Sequence, residues 1–292
     1  MSKRGSSIPR RQLGRLLRDL RQQVGLTIAA MAGLIGRSAS TVQRLEAGTA
    51  DCIQLEDIEA ICHVADADAD TVNALKGLAQ QGNSTVWWHQ YGDLIPANFD
   101  VYMGLESSAV RLTAFEELVP GLLQTPDYAR TLIRAVHPDE PDSEIARRVD
   151  LRMRRRALIT RKARPVVMAM ILDESALIRT IGGRRTMGAQ LRHVADMGTR
   201  PNIEIRILPH TAGVPLGDLT GPFNILDFEE KTGSIPIEPP IVYVESYTGA
   251  MYFEDGDAVG RYHAAHATLW RVALNAQESR DLLRRVAREY GA

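Results

Sequence analysis

Residues 10–48 leave the chain few options. Leu13, Leu16, Leu17 and Leu20 recur at i, i+3, i+4 and i+7, an apolar stripe of helical period. Arg10, Arg11, Arg15, Arg18 and Arg21 occupy the other faces. Gly25 stops this helix, and Thr27 suits the N-cap of a second over 28–35, with Met31, Ala32 and Ile35 inward. Gly36 makes a tight turn, Ser38 can cap a third helix over 39–47, and Gly48 ends it. Val42 and Leu45 of that helix face a core, which leaves Ser40, Thr41, Gln43 and Arg44 outward.

Three short helices joined this way read as a helix-turn-helix. In such a unit the middle helix crosses the sugar-phosphate backbone and the last one enters the major groove. Ser40, Thr41 and Arg44 are the expected base readers, with Gln43 and Ala39 at the periphery; arginine can bind guanine O6 and N7 with both arms. Thr27, Arg37, Ser38 and Arg10 are expected at the backbone, where hydroxyls and helix N-termini suit phosphate oxygens. Charge agrees. Residues 1–50 hold nine Lys/Arg against Asp19 and Glu46, net +7, and residues 51–82 hold seven carboxylates against Lys76, net −6. A basic surface beside an acidic one is the electrostatic footprint of double-stranded DNA binding.

The stretch resembles the XRE (lambda/Cro-repressor-like) family. The marks are Arg21-x-x-x-Gly25-Leu26-Thr27, Met31-Ala32, Gly36, Ser40-Thr41-Val42 and Leu45-Glu46-Ala47-Gly48. The resemblance implies a partly buried ion pair between Arg21 and Glu46. Many members place Gln where this chain has Ile28 and Glu where it has Ala30, so weaker phosphate contacts are expected at the start of the second helix.

A chain of 292 residues is long enough for two domains. We expect a five-helix domain over 9–82, a linker over 83–99 and an α/β domain over 100–292. Helix four runs over 53–65, and Asp68 or Asp70 caps helix five. Trp87 and Trp88 in the connector could stack on a base, but adjacent tryptophans more often pin a linker. No hydrophobic run approaches a membrane span and no apolar signal segment follows the basic N-terminus. Cys52 and Cys62 form no metal or disulfide pattern and read as packing residues. The expectation is a cytoplasmic, nucleoid-associated protein.

Beyond residue 100 the pattern alternates. Residues 100–114 read as a helix and 115–119 as extended. Pro120-Gly121 then makes a turn, and Thr125 caps a helix with Pro126 at its first position. Residues 142–162 read as a long helix dense in arginine. Its charges could meet DNA or an acidic partner, or pair with Asp139, Glu140, Asp142, Glu144 and Asp150. Strands are expected over 166–173, 203–209, 223–228 and 241–246, and closing helices over 257–274 and 277–290. Helices between the early strands and hairpin spacing later argue a mixed sheet flanked by helices.

The strings PGLLQTPDYAR, IGG, AQLRHVADM, PNIEIRILP, GPFNILDF and IVYVES together resemble the C-terminal domain behind XRE modules in actinobacterial WhiJ-like regulators. That resemblance implies an antitoxin-like or developmental regulator engaged by a small protein encoded beside it. One helix-turn-helix contacts few bases, so a homodimer on two half-sites is expected. Possible ligand or partner residues are Glu245, Tyr243, Arg152 and Arg155; strand alternation puts Tyr243 and Glu245 on one face. HExxH, GxSxG, GxGxxG and GxxxxGK[ST] do not occur, and His263-x-x-His266 has no third ligand in sequence. We therefore expect no catalysis, no cofactor and no metal. The alternative is an enzyme or nucleotide-ligand domain acting through Glu245, targeted to DNA by the helix-turn-helix.

Overall fold

The computed structural model describes residues 8–50, 52–83, 87–218, 220–228, 231–232, 235–236 and 239–291. Two compact units divide between Ser108 and Ala109, and the short hairpin within 231–236 clusters with the first.

The first unit is helical: α1 (Ile8–Gln23), α2 (Ile28–Leu34), α3 (Ala39–Glu46), α4 (Leu55–Val64), α5 (Ala69–Asn83) and α6 (Ala97–Ser108). Leu13 and Leu17 are buried among Met31, Val42, Leu45, Ile58, Ile61 and Leu75, with Leu16 and Leu20 packed at the margin. A fully buried leucine contributes roughly 1.5–3 kcal/mol, so this stripe closes the bundle. Cys62 is buried in the same core, whereas Cys52 is exposed; packing accounts for one cysteine only.

Residues 84–86 of the expected connector lie outside the described residues. A 3-10 turn (Trp87–Tyr91) follows. Trp88 is buried and its Nε1 donates to Asp100 Oδ1 at 2.8 Å, which pins the turn to α6. Trp87 meets Trp88 edge-on and stays exposed. The helix expected to reach residue 114 ends at Ser108, and a strand starts at Arg111. The physical reason is burial on both faces: Leu112, Thr113, Ala114 and Phe115 are all inside, so the strand lacks the alternation that marks a half-buried one.

The second unit carries a six-stranded sheet in the order β3-β2-β1-β4-β7-β8. Its strands are β1 (Arg111–Glu116), β2 (Val167–Asp173), β3 (Ile203–Leu208), β4 (Phe223–Asp227), β7 (Ile241–Ser246) and β8 (Gly249–Phe253). The separate hairpin is β5 (Lys231–Thr232) with β6 (Ile235–Pro236). Strands β1, β2 and β3 are parallel, and β4, β7 and β8 add as antiparallel neighbours. Parallel pairs need crossovers. These are α7 (Pro126–Val136), α8 (Asp142–Arg155) and α9 (Ala157–Thr160), then α10 (Ser175–Ile178) and α11 (Gly183–Met197). Helices α12 (Gly256–Val272) and α13 (Ala276–Glu289) close the unit. The fold is the expected helical bundle followed by a mixed α/β sheet with flanking helices.

Phe115, Ile171, Phe223, Ile225 and Val242 on one sheet face pack with Val259 and Leu269 of α12. At the β3 edge, Ile207 N donates to Ser279 Oγ and Ile207 O accepts from Leu274 N, both at 2.9 Å. Ser279 is buried for that reason: it satisfies an edge amide that water cannot reach. The arginine-dense helix breaks at Arg156 into α8 and α9. Strand β8 has no counterpart in the sequence-based expectation.

Candidate nucleic-acid interface

Helices α2 and α3 start on side-chain caps. Thr27 Oγ1 accepts from Ala30 N at 3.1 Å and Ser38 Oγ accepts from Thr41 N at 3.2 Å. Each cap satisfies an amide left without a partner in the first helical turn. Between the helices Gly36 stands at φ +67°, and Gly48 after α3 at +66°, the left-handed conformation glycine adopts without strain. The underside of α3 is Val42, Leu45 and Glu46, all buried. This orientation leaves Ala39, Ser40, Gln43 and Arg44 exposed and Thr41 half-buried. Among the described residues, the Gln43 and Arg44 side chains make no hydrogen bond or ion pair.

A buried clamp holds that face in place. Arg21 Nε donates to Glu46 Oε1 at 2.6 Å and a terminal nitrogen donates to Oε2 at 2.8 Å. A further Arg21 nitrogen reaches Leu26 O at 2.7 Å. This bond ties α1 and α3 to the turn before α2. Hydrogen bonding to Glu46 raises the Arg21 pKa further. Arg18 adds a bond to Glu46 O at 3.2 Å. Gly14, which sequence reasoning passed over, allows the two helices to approach. A Cβ there would stand 2.6 Å from Glu46 O and 2.7 Å from Leu45 O. Its signal was present, as a glycine inside a leucine-rich helix has to have a packing reason.

The residues expected at the DNA backbone divide. Thr27 and Ser38 stand exposed at their helix starts. Ser38 Oγ lies 2.9 Å from both Ser40 Oγ and Thr41 Oγ1. Two of the three hydroxyl hydrogens serve those bonds, and one remains to point outward. Arg37 is half outside, with Nε on Asp57 Oδ1 at 2.6 Å, so a carboxylate already steadies its guanidinium. Arg10 is a correction. It is buried, and its Nε donates to Gly82 O at 2.8 Å, fastening α1 to the end of α5. Helical periodicity placed it off the leucine stripe, but α5 covers that face too. The outward side of α2 is Ala29, Ala30, Gly33 and Leu34; only Thr27 and main-chain amides offer polar contacts there.

In the second unit the arginines of α8 separate into two sets. Arg148 is held by both oxygens of Glu140 at 2.6–2.7 Å. Arg147 pairs with Glu144 at 2.9 Å and Arg154 with Asp150 at 3.0 Å. Arg152, Arg155 and Arg156 turn inward instead. Arg152 donates to Gln124 Oε1 at 2.9 Å, and Arg156 to Gln124 O. Gln124 Nε2 in turn donates to Val119 O at 2.7 Å. Thr125 sits at the N-cap of α7, but its hydroxyl bonds Gln190 Oε1 at 3.1 Å rather than capping. Gln190 is fully buried, accepts also from Thr125 N at 2.6 Å and donates to Leu123 O at 2.7 Å. The PGLLQT string is thus a loop whose backbone is satisfied by two buried glutamines. Tyr243 is buried and Glu245 exposed on β7; both act electrostatically on or with Arg152 and Arg155, so the four expected residues share one neighbourhood. His263 Nε2 stands 3.5 Å from Asp227 Oδ1. His266 packs on Trp270, and burial lowers its pKa to about 4. Among the described residues no three His, Cys, Asp or Glu come together as a metal site, and no helix is long and apolar enough to cross a membrane.

The family of helix-turn-helix domains matches residues 12–75, and a domain of unknown function (DUF5753) matches residues 99–285. No curated protein matches the chain. Residues 12–75 therefore form an XRE-like helix-turn-helix, and the chain carries a DNA-binding regulatory domain ahead of a larger α/β domain.

Proposed function

The chain belongs to the DUF5753 family, and from that premise we propose that it is a sequence-specific transcription regulator of the WhiJ-like, antitoxin-like kind. It binds operator DNA as a homodimer, and its C-terminal unit senses a small protein encoded beside it. The observation that carries the DNA half is the outer face of α3: Ser40, Gln43 and Arg44 are exposed on a helix whose underside is locked into the core. Rigid presentation matters because base readout is geometric. Ser40, Thr41 and Arg44 read base edges, with Gln43 and Ala39 beside them. Thr27, Ser38 and Arg37 set the register on phosphates; Arg10 leaves that set. The unit works in pairs on half-sites about 34–36 Å apart, one helical turn of DNA. The C-terminal unit acts in this reading as a binding module and not as an enzyme.

The test is titration of the full chain against DNA upstream of its own gene, in excess random DNA at fixed salt, with and without the adjacent small protein. Competitor-resistant binding that the small protein alters is the expected result. Equal displacement by random DNA would reduce the protein to an electrostatic binder, because phosphate contacts carry no sequence information. Indifference to the small protein would remove the antitoxin-like half of the reading.

A further inference from the structure

Helices α11 and α13 lie side by side and run in opposite directions. At one end of the pair an Arg184 nitrogen donates to Glu289 O, and its guanidinium stands 5.6 Å from the centre of the Tyr290 ring. At the other end Arg280 donates to Gly198 O at 3.2 Å. Met187, Leu191 and Val194 of α11 are buried, as are Leu282, Leu283 and Ala287 of α13, so the opposite sides of both helices form one outer face. Arginines line its seam. Arg185 and Arg192 are exposed two turns apart on α11, in line with Asp196. Arg284 of α13 stands 3.8 Å from Asp196, and Arg288 follows one turn on. With about 1.5 Å of rise per residue, Arg185 and Arg192 are about 10 Å apart along the axis and Arg284 and Arg288 about 6 Å. Packed helices stand about 8–10 Å apart, so four guanidiniums spring from one patch roughly 10 Å across.

Little on this surface neutralises them. The two helices hold seven arginines, three on α11 and four on α13, against four carboxylates, net +3. Glu278 serves the capping box of α13, and both Asp281 oxygens accept from Gln277 Nε2 at 3.0 Å. Asp196 faces Arg284, and Glu289 lies half a turn round the helix from Arg280. Among the described residues the side chains of Arg185, Arg192 and Arg288 make no hydrogen bond or ion pair. None of the exposed large apolar side chains among the described residues belongs to α11 or α13.

These two properties select the partner. Protein interfaces centre on apolar or aromatic anchors, with charge at the rim, and this face presents no such anchor. A DNA backbone needs none. It carries about one charge per 1.7 Å of duplex axis, and arginine neutralises phosphates without regard to sequence.

We propose that the α11–α13 seam is a second DNA-contacting surface, on which Arg185, Arg192 and Arg288 bind the phosphate backbone of duplex DNA without reading bases. This extends the DNA reading of the chain and rests on it: α3 supplies discrimination between sequences, and the seam supplies affinity common to all of them.

The test is the affinity of the full chain for the DNA upstream of its own gene and for random duplex, each between about 50 and 200 mM salt. The variant is the triple Arg185→Ala, Arg192→Ala, Arg288→Ala; all three sites are exposed, so the fold is kept. Each phosphate contact contributes about 0.9 to the slope of log affinity on log salt. Losing three lowers the slope by about 2.7, which makes the fall in affinity over that range about fortyfold smaller than in the wild type. The ratio of operator to random affinity stays unchanged, whereas Arg44→Ala lowers it. An unchanged slope overturns the proposal, and so does a loss confined to the operator, which would make these arginines base readers. A triple variant that keeps its slope on DNA but loses binding to poly-L-glutamate assigns the face to an acidic protein, and the proposal falls. Failure of the regulatory reading shows differently: the wild type then binds operator and random DNA alike, and the slope on random duplex still decides the seam.

Discussion

Helices α3 and α8 both carry arginine, yet the two put it to different use. Arg44 of α3 stands exposed and makes no ion pair among the described residues, while the helix beneath it is fixed by the Arg21–Glu46 clamp. The outward arginines of α8, Arg147, Arg148 and Arg154, are each engaged by a carboxylate, and Arg152 and Arg156 bond the PGLLQT loop. Charge density in sequence is greater in α8. Of these two helices, α3 is the one whose outer arginine is left for a polyanion in the proposed reading, because a guanidinium already paired offers little to phosphate. In that reading partner supply, rather than arginine count, distinguishes the two.

The comparison can be broken at its strongest point first. Glu46→Ala strands Arg21 in the core and should lower stability by about 3–5 kcal/mol, read as a fall in the denaturation midpoint. An unchanged midpoint would mean the clamp does not hold α3. Gly14→Ala forces a methyl against main-chain oxygens and should cost about 1–3 kcal/mol, with operator affinity falling as α3 shifts. Arg44→Ala should leave the midpoint within about 0.5 kcal/mol while weakening operator binding by about 1–3 kcal/mol and relaxing one base position. Equal weakening on random DNA would move Arg44 to the phosphate set.

Smaller effects sharpen the α8 side. Burial raises the folded-state pKa of Glu116, so its neutral form is favoured in the native unit. Its contribution is fully present below the unfolded value near 4.5 and is lost as pH rises through about 7. Glu116→Gln should flatten stability across that window by on the order of 1 kcal/mol, measured as unfolding midpoints from pH 4.5 to 8. A slope unchanged by the substitution would assign the pH dependence to another group. Arg154→Ala, at an exposed pair with Asp150, should change stability by about 0–1 kcal/mol and leave operator affinity untouched. A marked loss of DNA binding would return α8 to the DNA-facing class.

Local chemistry made the first unit legible. The leucine stripe, the Thr27 and Ser38 caps and the glycine stops each act within a few residues, so helices α1 to α3 could be placed before any packing was known. The strands β2, β3, β4 and β7 were legible for the same reason, as short aliphatic runs between turn residues. Strand β1 was not: buried on both faces and preceded by α6, its residues continue a helical pattern. Arg10 could not be assigned from periodicity, because α5, far away in sequence, covers the face it occupies. For α8 the sequence offered Glu140, Glu144 and Asp150 as partners, which Arg148, Arg147 and Arg154 take, but not the turn of Arg152 and Arg156 to Gln124, which is distant in sequence.

By itself the sequence therefore determined the helix-turn-helix, the identity of the residues on the outer face of α3, and the mixed α/β character of the second unit. Short-range periodicity and capping are sufficient for these. Only the tertiary structure decided the strand order, the need for Gly14, the burial of Arg10 and the alignment of Arg185 and Arg192 with Arg284 and Arg288 along one seam. Each of those depends on which distant segment arrives to supply a partner or exclude water, and no local pattern encodes that arrival.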